Sequence, residues 1–273
     1  MSTLRDLYYS FRYDLTRNYW LITGKNSPFY GHALMFHHVT DEQIIINKSC
    51  LCRVDDFKRI IENYKNAGFD FVSVSTALEY LKDEKERRFA VVTFDDIPDN
   101  VYTNAYPFLK ENNIPFIVFV TRNYIDYEDY ISLSHLHILN DDPLCEIGAH
   151  SMTHPLLRQV KNSDWEINQS KIELEHIIGK KVKYFAYPYG RYSAISKKVM
   201  KQAKESGFEC AFCTVSAPLI KASSSNLFFL PRIVPSEDGI IRFSKQWSFI
   251  GVLRSLAARA LKSCLALLKG YKG

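Results

Sequence analysis

From residue 32 to residue 234, short apolar runs alternate with amphipathic stretches of roughly ten to fifteen residues, and this alternation limits the fold more than any other feature. The runs are HALMFHHV (32–39), DFVSV (70–74), FAVVTF (89–94), IPFIVFVT (114–121), LCEIGAH (144–150), VKYFAYP (182–188), FECAFCTV (208–215) and LFFLPRIV (227–234). Between the first two lies VDDFKRIIENYKNAGF (54–69), where Phe57, Ile60, Ile61 and Tyr64 share one helical face and Gly68 stands at the C-cap. STALEYLKDEKERR (75–88) reads as a helix capped by Ser75 or Thr76, and NVYTNAYPFLKENN (100–113) as one bent at Pro107. SDWEINQSKIELEHIIGK (163–180) opens with a capping box of Ser163 and Glu166, and SAISKKVMKQAKESG (193–207) gives a further helix. Strands separated by helices run parallel, so the expectation is α/β, and about eight strands favour a closed or nearly closed barrel in a single domain.

Bulk properties narrow the partners. The net charge of +5 is modest, and no run of Lys and Arg interleaved with aromatics marks a nucleic-acid groove. The first twenty residues are broken by Arg5, Asp6, Arg12, Asp14 and Arg17, so no secretory h-region is expected there. No uncharged window reaches the roughly twenty residues of a spanning helix. The expected compartment is therefore the cytosol, where the six cysteines stay reduced. Cys210 and Cys213 have half a zinc-knuckle spacing, but in a strand residues three apart face opposite sides, and no second pair matches.

In a barrel of parallel strands the chemistry sits at the C-terminal strand ends. Four such ends carry polar or turn residues: His37-His38, Asp95-Asp96, His150, and Pro188-Tyr189-Gly190. Asp95 and Asp96 are adjacent, so a regular pleat sends them to opposite faces, and both reach one site only if the chain bends there. Two neighbouring carboxylates also repel and are costly to desolvate. GAHSMTHP (148–155) supplies His150 and His154, with Pro155 disfavouring helix at His154, so a loop or single turn projects both imidazoles one way. Two His and one Asp make an open facial metal site. One carboxylate is then neutralised by the cation, and the other is left beside a metal-activated water as general base.

TFDD (93–96), HSMTHP (150–155) and FAYPYG (185–190), in that order, resemble the polysaccharide deacetylase (NodB-homology) family of carbohydrate esterases, over roughly residues 30–235. The resemblance implies a distorted (β/α)7 barrel and metal-dependent removal of an N-acetyl, sometimes O-acetyl, group from sugars. It implies Asp95 as general base; Asp96, His150 and His154 as metal ligands; and the Tyr189 N–H as an oxyanion donor. Pro188, Tyr189 and Gly190 would shape the substrate groove. Zn²⁺ is the first choice of divalent metal, with Co²⁺, Ni²⁺ or Fe²⁺ compatible.

Four departures from the family pattern stand out. Ile97 replaces the usual Gly after the acids, where a side chain could narrow the floor or shift the bend. Ala186 stands where many members carry an Arg that holds the base. Arg232, grouped with the substrate-binding residues, could supply that guanidinium from another strand. No His follows His176 to act as acid, but LMFHHV resembles the YH-x-V strand of a circularly permuted subgroup, the poly-N-acetylglucosamine deacetylases. His37 is then the candidate acid, with Phe36 in place of the usual Tyr, and His38 is structural. His135, His137, Asn100 and Tyr102 are read as structural too.

The chain divides into a leader (1–29), the barrel (30–240) and a basic amphipathic C-terminal helix (241–273). Within that helix Leu253, Leu256, Ala260, Cys264 and Leu267 share an arc opposite Arg254, Arg259 and Lys262. Such a helix lies on an anionic membrane surface or packs on the barrel. The expected activity is deacetylation of an N-acetylated sugar, glycan or lipid-linked precursor, in the cytoplasm or on the inner membrane face. The alternatives are a deformylase or O-deacetylase of a lipid-linked sugar, and a carbohydrate-binding pseudoenzyme.

Overall fold

The computed structural model describes residues 30–42, 50–83, 87–219 and 226–235; the leader and the C-terminal helix lie outside these residues. Among the described residues there are ten strands: β1 (Tyr30–Phe36), β2 (His38–Val39), β3 (Leu51–Cys52), β4 (Asp70–Phe71), β5 (Arg88–Asp95), β6 (Phe116–Val120), β7 (Cys145–Ala149), β8 (Tyr184–Ala186), β9 (Cys210–Ser216) and β10 (Leu230–Arg232). The main sheet runs β1-β5-β6-β7-β8-β9-β10, with β4 beside β5 and every pair parallel. Beyond β10, Ile233 joins back to β1: its N–H donates to the Ala33 carbonyl and its carbonyl accepts from Met35 N–H, both at 2.8 Å. Seven strands therefore form a nearly closed ring, with six helices in the crossovers.

Both faces of these strands are buried, which is why they read as continuous apolar runs. Ala33, Phe89, Val91, Ile117, Phe119, Tyr184, Ala186, Cys210 and Phe212 fill the inside of the ring. Their neighbours in sequence, among them Leu34, Val92, Phe94, Val118 and Phe185, point outward onto the helices. The helix Val54–Asn66 buries Phe57, Ile60, Ile61 and Tyr64, the face expected from spacing, and the chain leaves it through Gly68 at φ 76°. Cys210 lies inside the ring and Cys213 outside it, both as free thiols.

Several boundaries differ from expectation. The first run breaks at His37, and His38–Val39 pairs with β3 instead of continuing β1. The next helix spans Val74–Tyr80 and is capped by Ser73, whose hydroxyl accepts from Thr76 N–H at 3.2 Å; neither Ser75 nor Thr76 is the cap. At Pro107 the chain passes from a wide π-type turn, Val101–Ala105, into the helix Tyr106–Glu111, because proline offers no N–H to an α ladder. The helix Ser163–Ile178 is capped at Asn162 without a side-chain bond, so the expected capping box does not form. No helix among the described residues is long and apolar enough to cross a membrane.

Candidate metal centre and the groups around it

Alternation along β5 carries Phe89, Val91, Thr93 and Asp95 to the inside of the ring, so Asp95 ends the strand facing inward. The next residue abandons the pleat. Asp96 takes φ 62° and Ile97 φ 52°, and Ile97 N–H donates to the Asp95 carbonyl at 2.7 Å. This sharp left-handed turn brings the second carboxylate to the same side as the first. Ile97 occupies a conformation that suits Gly, at a cost of about 1–3 kcal/mol. Its side chain is fully buried in the outer core, so it neither narrows the floor of the site nor straightens the bend.

Asp96, His150 and His154 converge, each offering one ligand atom within 4.8 Å of the others. Asp96 Oδ1 lies 3.3 Å from His154 Nε2 and 3.7 Å from His150 Nε2. His150 follows β7, and its Nδ1 is 2.7 Å from the Ala186 carbonyl. A carbonyl only accepts, so Nδ1 carries the proton and the Nε2 lone pair points at Asp96 and His154. Burial pushes the His150 imidazole down to about 4, although Asp95 and Asp96 pull the other way, so it is neutral at physiological pH. Two imidazoles and a carboxylate are a donor set that suits a divalent cation, and the residues fit one.

The loop that carries these imidazoles is held in an unusual shape, with Ser151 at φ 69° and His154 at φ 58°. Glu166 fixes it. The Glu166 carboxylate accepts from Met152 N–H at 3.1 Å, Thr153 N–H at 3.0 Å and the Thr153 hydroxyl at 2.7 Å. Sequence reasoning placed Glu166 in a capping box and missed this role. The available signal was its position on the buried helix face with Ile167, Ser170, Leu174 and Ile178. Glu166→Ala is expected to weaken Co²⁺ binding about 10–100-fold, with Glu166→Gln intermediate, since its amide oxygen still accepts. Competition with a chromophoric chelator measures this, and equal affinities in all three proteins would remove the role.

Asp95 is 98% buried and forms a two-pronged ion pair with Arg232, at 2.5 Å from Nη1 to Oδ1 and 2.6 Å from Nη2 to Oδ2. Burial alone would raise the Asp95 pKa, but the Arg232 charge and its hydrogen bonds outweigh burial and hold the carboxyl far below its usual range. Arg232 also donates to the Cys213 carbonyl and Thr93 hydroxyl, and packs against the Phe119 and Phe212 rings. Arg232 thus supplies to Asp95, from another strand, the guanidinium that Ala186 does not. Its grouping with substrate-binding residues is corrected: it is fully buried and has no exposed edge for a ligand.

The remaining site residues fall as follows. His37 directly follows β1, whose last residue Phe36 is level with Phe94 of β5, one residue before Asp95. His37 is partly exposed and its charge is felt by Asp95. His38 has its Nδ1 3.0 Å from the Asn100 side-chain nitrogen, and Asn100 also accepts from Val39 N–H. His135 pairs with Asp99 at 2.7 Å and stacks on Tyr102. Pro188 is buried, while Tyr189 is 45% exposed at φ 60°, its ring 4.8 Å from that of His154. Gly190, at φ 47°, is required: a Cβ there would lie 2.5 Å from Thr214 Cγ2 and 2.6 Å from its backbone nitrogen.

Both the sequence and the parallel ring have likenesses among known proteins. The polysaccharide deacetylase sequence model matches residues 82–210 of this chain. The poly-beta-1,6-N-acetyl-D-glucosamine N-deacetylase of Staphylococcus aureus is 28% identical over 209 residues, 70% of this chain and 70% of the relative. A polysaccharide deacetylase from Bacillus cereus superposes with a TM-score of 0.69 at 22% identity, over 80% of this chain and 69% of that one. IcaB from Ammonifex degensii does so with a TM-score of 0.66 at 20% identity, over 82% and 96%. The structural likenesses at these identities speak for the fold.

Proposed function

We propose that this protein hydrolyses the N-acetyl group of N-acetylglucosamine units in a glycan, using a divalent cation held by Asp96, His150 and His154. The observation that carries the reading is the convergence of those three ligands beside a buried, arginine-held Asp95. The name of the staphylococcal relatives supports the choice of sugar. Zn²⁺ is the first candidate for the ion. When bound, the cation supplies Lewis acidity, lowering the pKa of water and polarising the acyl carbonyl.

The protein's own groups do the rest. Asp95 takes the proton of the attacking water, and Arg232 keeps that carboxylate ionised and aligned. The Tyr189 N–H, which has no hydrogen-bond partner among the described residues, donates to the oxygen that gains charge. His37, at the end of β1, partly exposed and near enough to act electrostatically on Asp95, protonates the departing amine.

Acetate release from β-1,6-linked N-acetylglucosamine oligomers tests this. Turnover should vanish after chelation and return with Zn²⁺ or Co²⁺. His37→Ala should lower kcat by about 10²-fold or more while the cation still binds, as removal of a general acid does. Turnover that survives complete metal removal would defeat the metal-dependent reading, and unchanged kcat in His37→Ala would assign the acid elsewhere.

A further inference from the structure

β6 ends beside the metal centre, and the segment that follows, residues 121–132, presents Tyr124, Tyr127 and Tyr130. The three rings form a row that starts at a metal ligand. Tyr124 lies over His154 at 6.2 Å between centroids and 28° between planes. Tyr130 is 4.3 Å from Tyr124, and Tyr127 is 6.3 Å from Tyr130. On the other flank of His154 stands Tyr189.

This segment is rigid without being covered. Arg122 and Asn123 donate their N–H groups to the Ser151 and Met152 carbonyls, tying it to the loop that carries both imidazoles. Asp99 N–H donates to the Asp129 carbonyl, tying it to the turn after the two acids. Asp126 and Asp129 hold φ 61° and 67°, and the Asp126 carboxylate accepts from Leu133 N–H at 2.8 Å. Yet the Tyr127 ring at the outer end is 65% exposed, more than any other large hydrophobic residue of the described chain. Fixed aromatic faces next to a reaction centre suit a flat, partly apolar ligand, because they bind at little entropic cost.

We propose that Tyr124, Tyr130 and Tyr127 form a second sugar subsite, which takes the unit next to the one being deacetylated and gives the protein a preference for chains over single sugars. The proposal rests on the deacetylase reading. A pyranose ring presents a face of C–H groups that stacks on an aromatic ring, and its rim hydroxyls meet the phenol oxygens. A single sugar at the metal centre reaches Tyr189 and His154; a unit linked to it is needed to cover Tyr127.

The test uses the full, metal-loaded protein and β-1,6-linked N-acetylglucosamine from one to five units. Tyr127 stands outside the catalytic machinery, and its exposure lets it be changed without opening the core. Tyr127→Ala should raise KM for the pentamer roughly three- to tenfold with little change in kcat, and leave the monosaccharide unaffected. Tyr127→Phe, which keeps the ring, should behave as wild type. Calorimetric binding of pentamer and monomer should follow the same pattern and does not require turnover. Tight, Tyr127-dependent pentamer binding without acetate release would uphold the subsite and defeat the deacetylase reading. Turnover and binding whose length dependence is the same in wild type and Tyr127→Ala would overturn the subsite and leave that reading standing.

Discussion

Asp95→Asn should lower kcat by about 10²–10⁴-fold while the divalent cation binds nearly as well as in the wild type. The geometry separates the two acids. Asp95 Oδ2 is 4.0 Å from His150 Nε2 and both its oxygens are engaged by Arg232, whereas Asp96 Oδ1 faces His150 and His154 at 3.7 and 3.3 Å. The amide of Asn fills the same volume and keeps an acceptor for Arg232, but it cannot take a proton. Asp96→Asn should show the reverse order, losing the cation first and turnover as a consequence. Steady-state kinetics on a pentamer, paired with a chelator competition for Co²⁺, distinguishes them. If Asp95→Asn released the metal as readily as Asp96→Asn, Asp95 would be a ligand and the base would have to be found elsewhere.

Arg232→Met should destabilise the protein by about 3–5 kcal/mol, because it strands a buried carboxylate without its counter-charge. Arg232 is fully buried and Asp95 is 2% exposed, so no water can take over the lost bonds. The Thr93 hydroxyl and Cys213 carbonyl lose a donor as well. Adding Asp95→Leu to Arg232→Met should recover much of that loss, since replacing both partners of a buried pair with apolar groups is often neutral. Activity should not return. Urea unfolding of the four proteins gives the cycle. A single Arg232→Met variant as stable as wild type would mean that the pair contributes nothing to the fold.

The parts of the fold legible in sequence were those set by periodicity. The buried stripe Phe57, Ile60, Ile61, Tyr64 has only one helical arrangement, and the strand runs are apolar on both sides because both sides are covered. The cluster of Asp96 with His150 and His154 was legible because two adjacent acids after a buried strand need a reason, and a cation would supply one. What sequence could not give was set by contacts far along the chain. Glu166 fits a capping box by local spacing, but three donors on the Met152–Thr153 loop outcompete the helix end. Ser73 rather than Ser75 caps the helix Val74–Tyr80, where Glu146 of β7 accepts from Val74 N–H at 2.6 Å and so also occupies the N-terminus. Arg232 looked like a groove residue because nothing local shows which face of a three-residue strand is inward. The tyrosines at 124, 127 and 130 are spaced three apart, but that spacing alone does not distinguish a row of rings beside the site from a short helical face, so their placement is a property of the folded loop.

Because Arg232 rides on β10, the last strand to enter the ring, a chain still being synthesised reaches Ser216 with both acids and both imidazoles already made but with Asp95 lacking its counter-cation. Docking of β10, sealed by the Ile233 bonds to Ala33 and Met35, both shuts the ring and supplies that counter-charge. A product that stops before Arg232 would leave the Asp95 carboxylate buried without its partner even if most of its strands assembled.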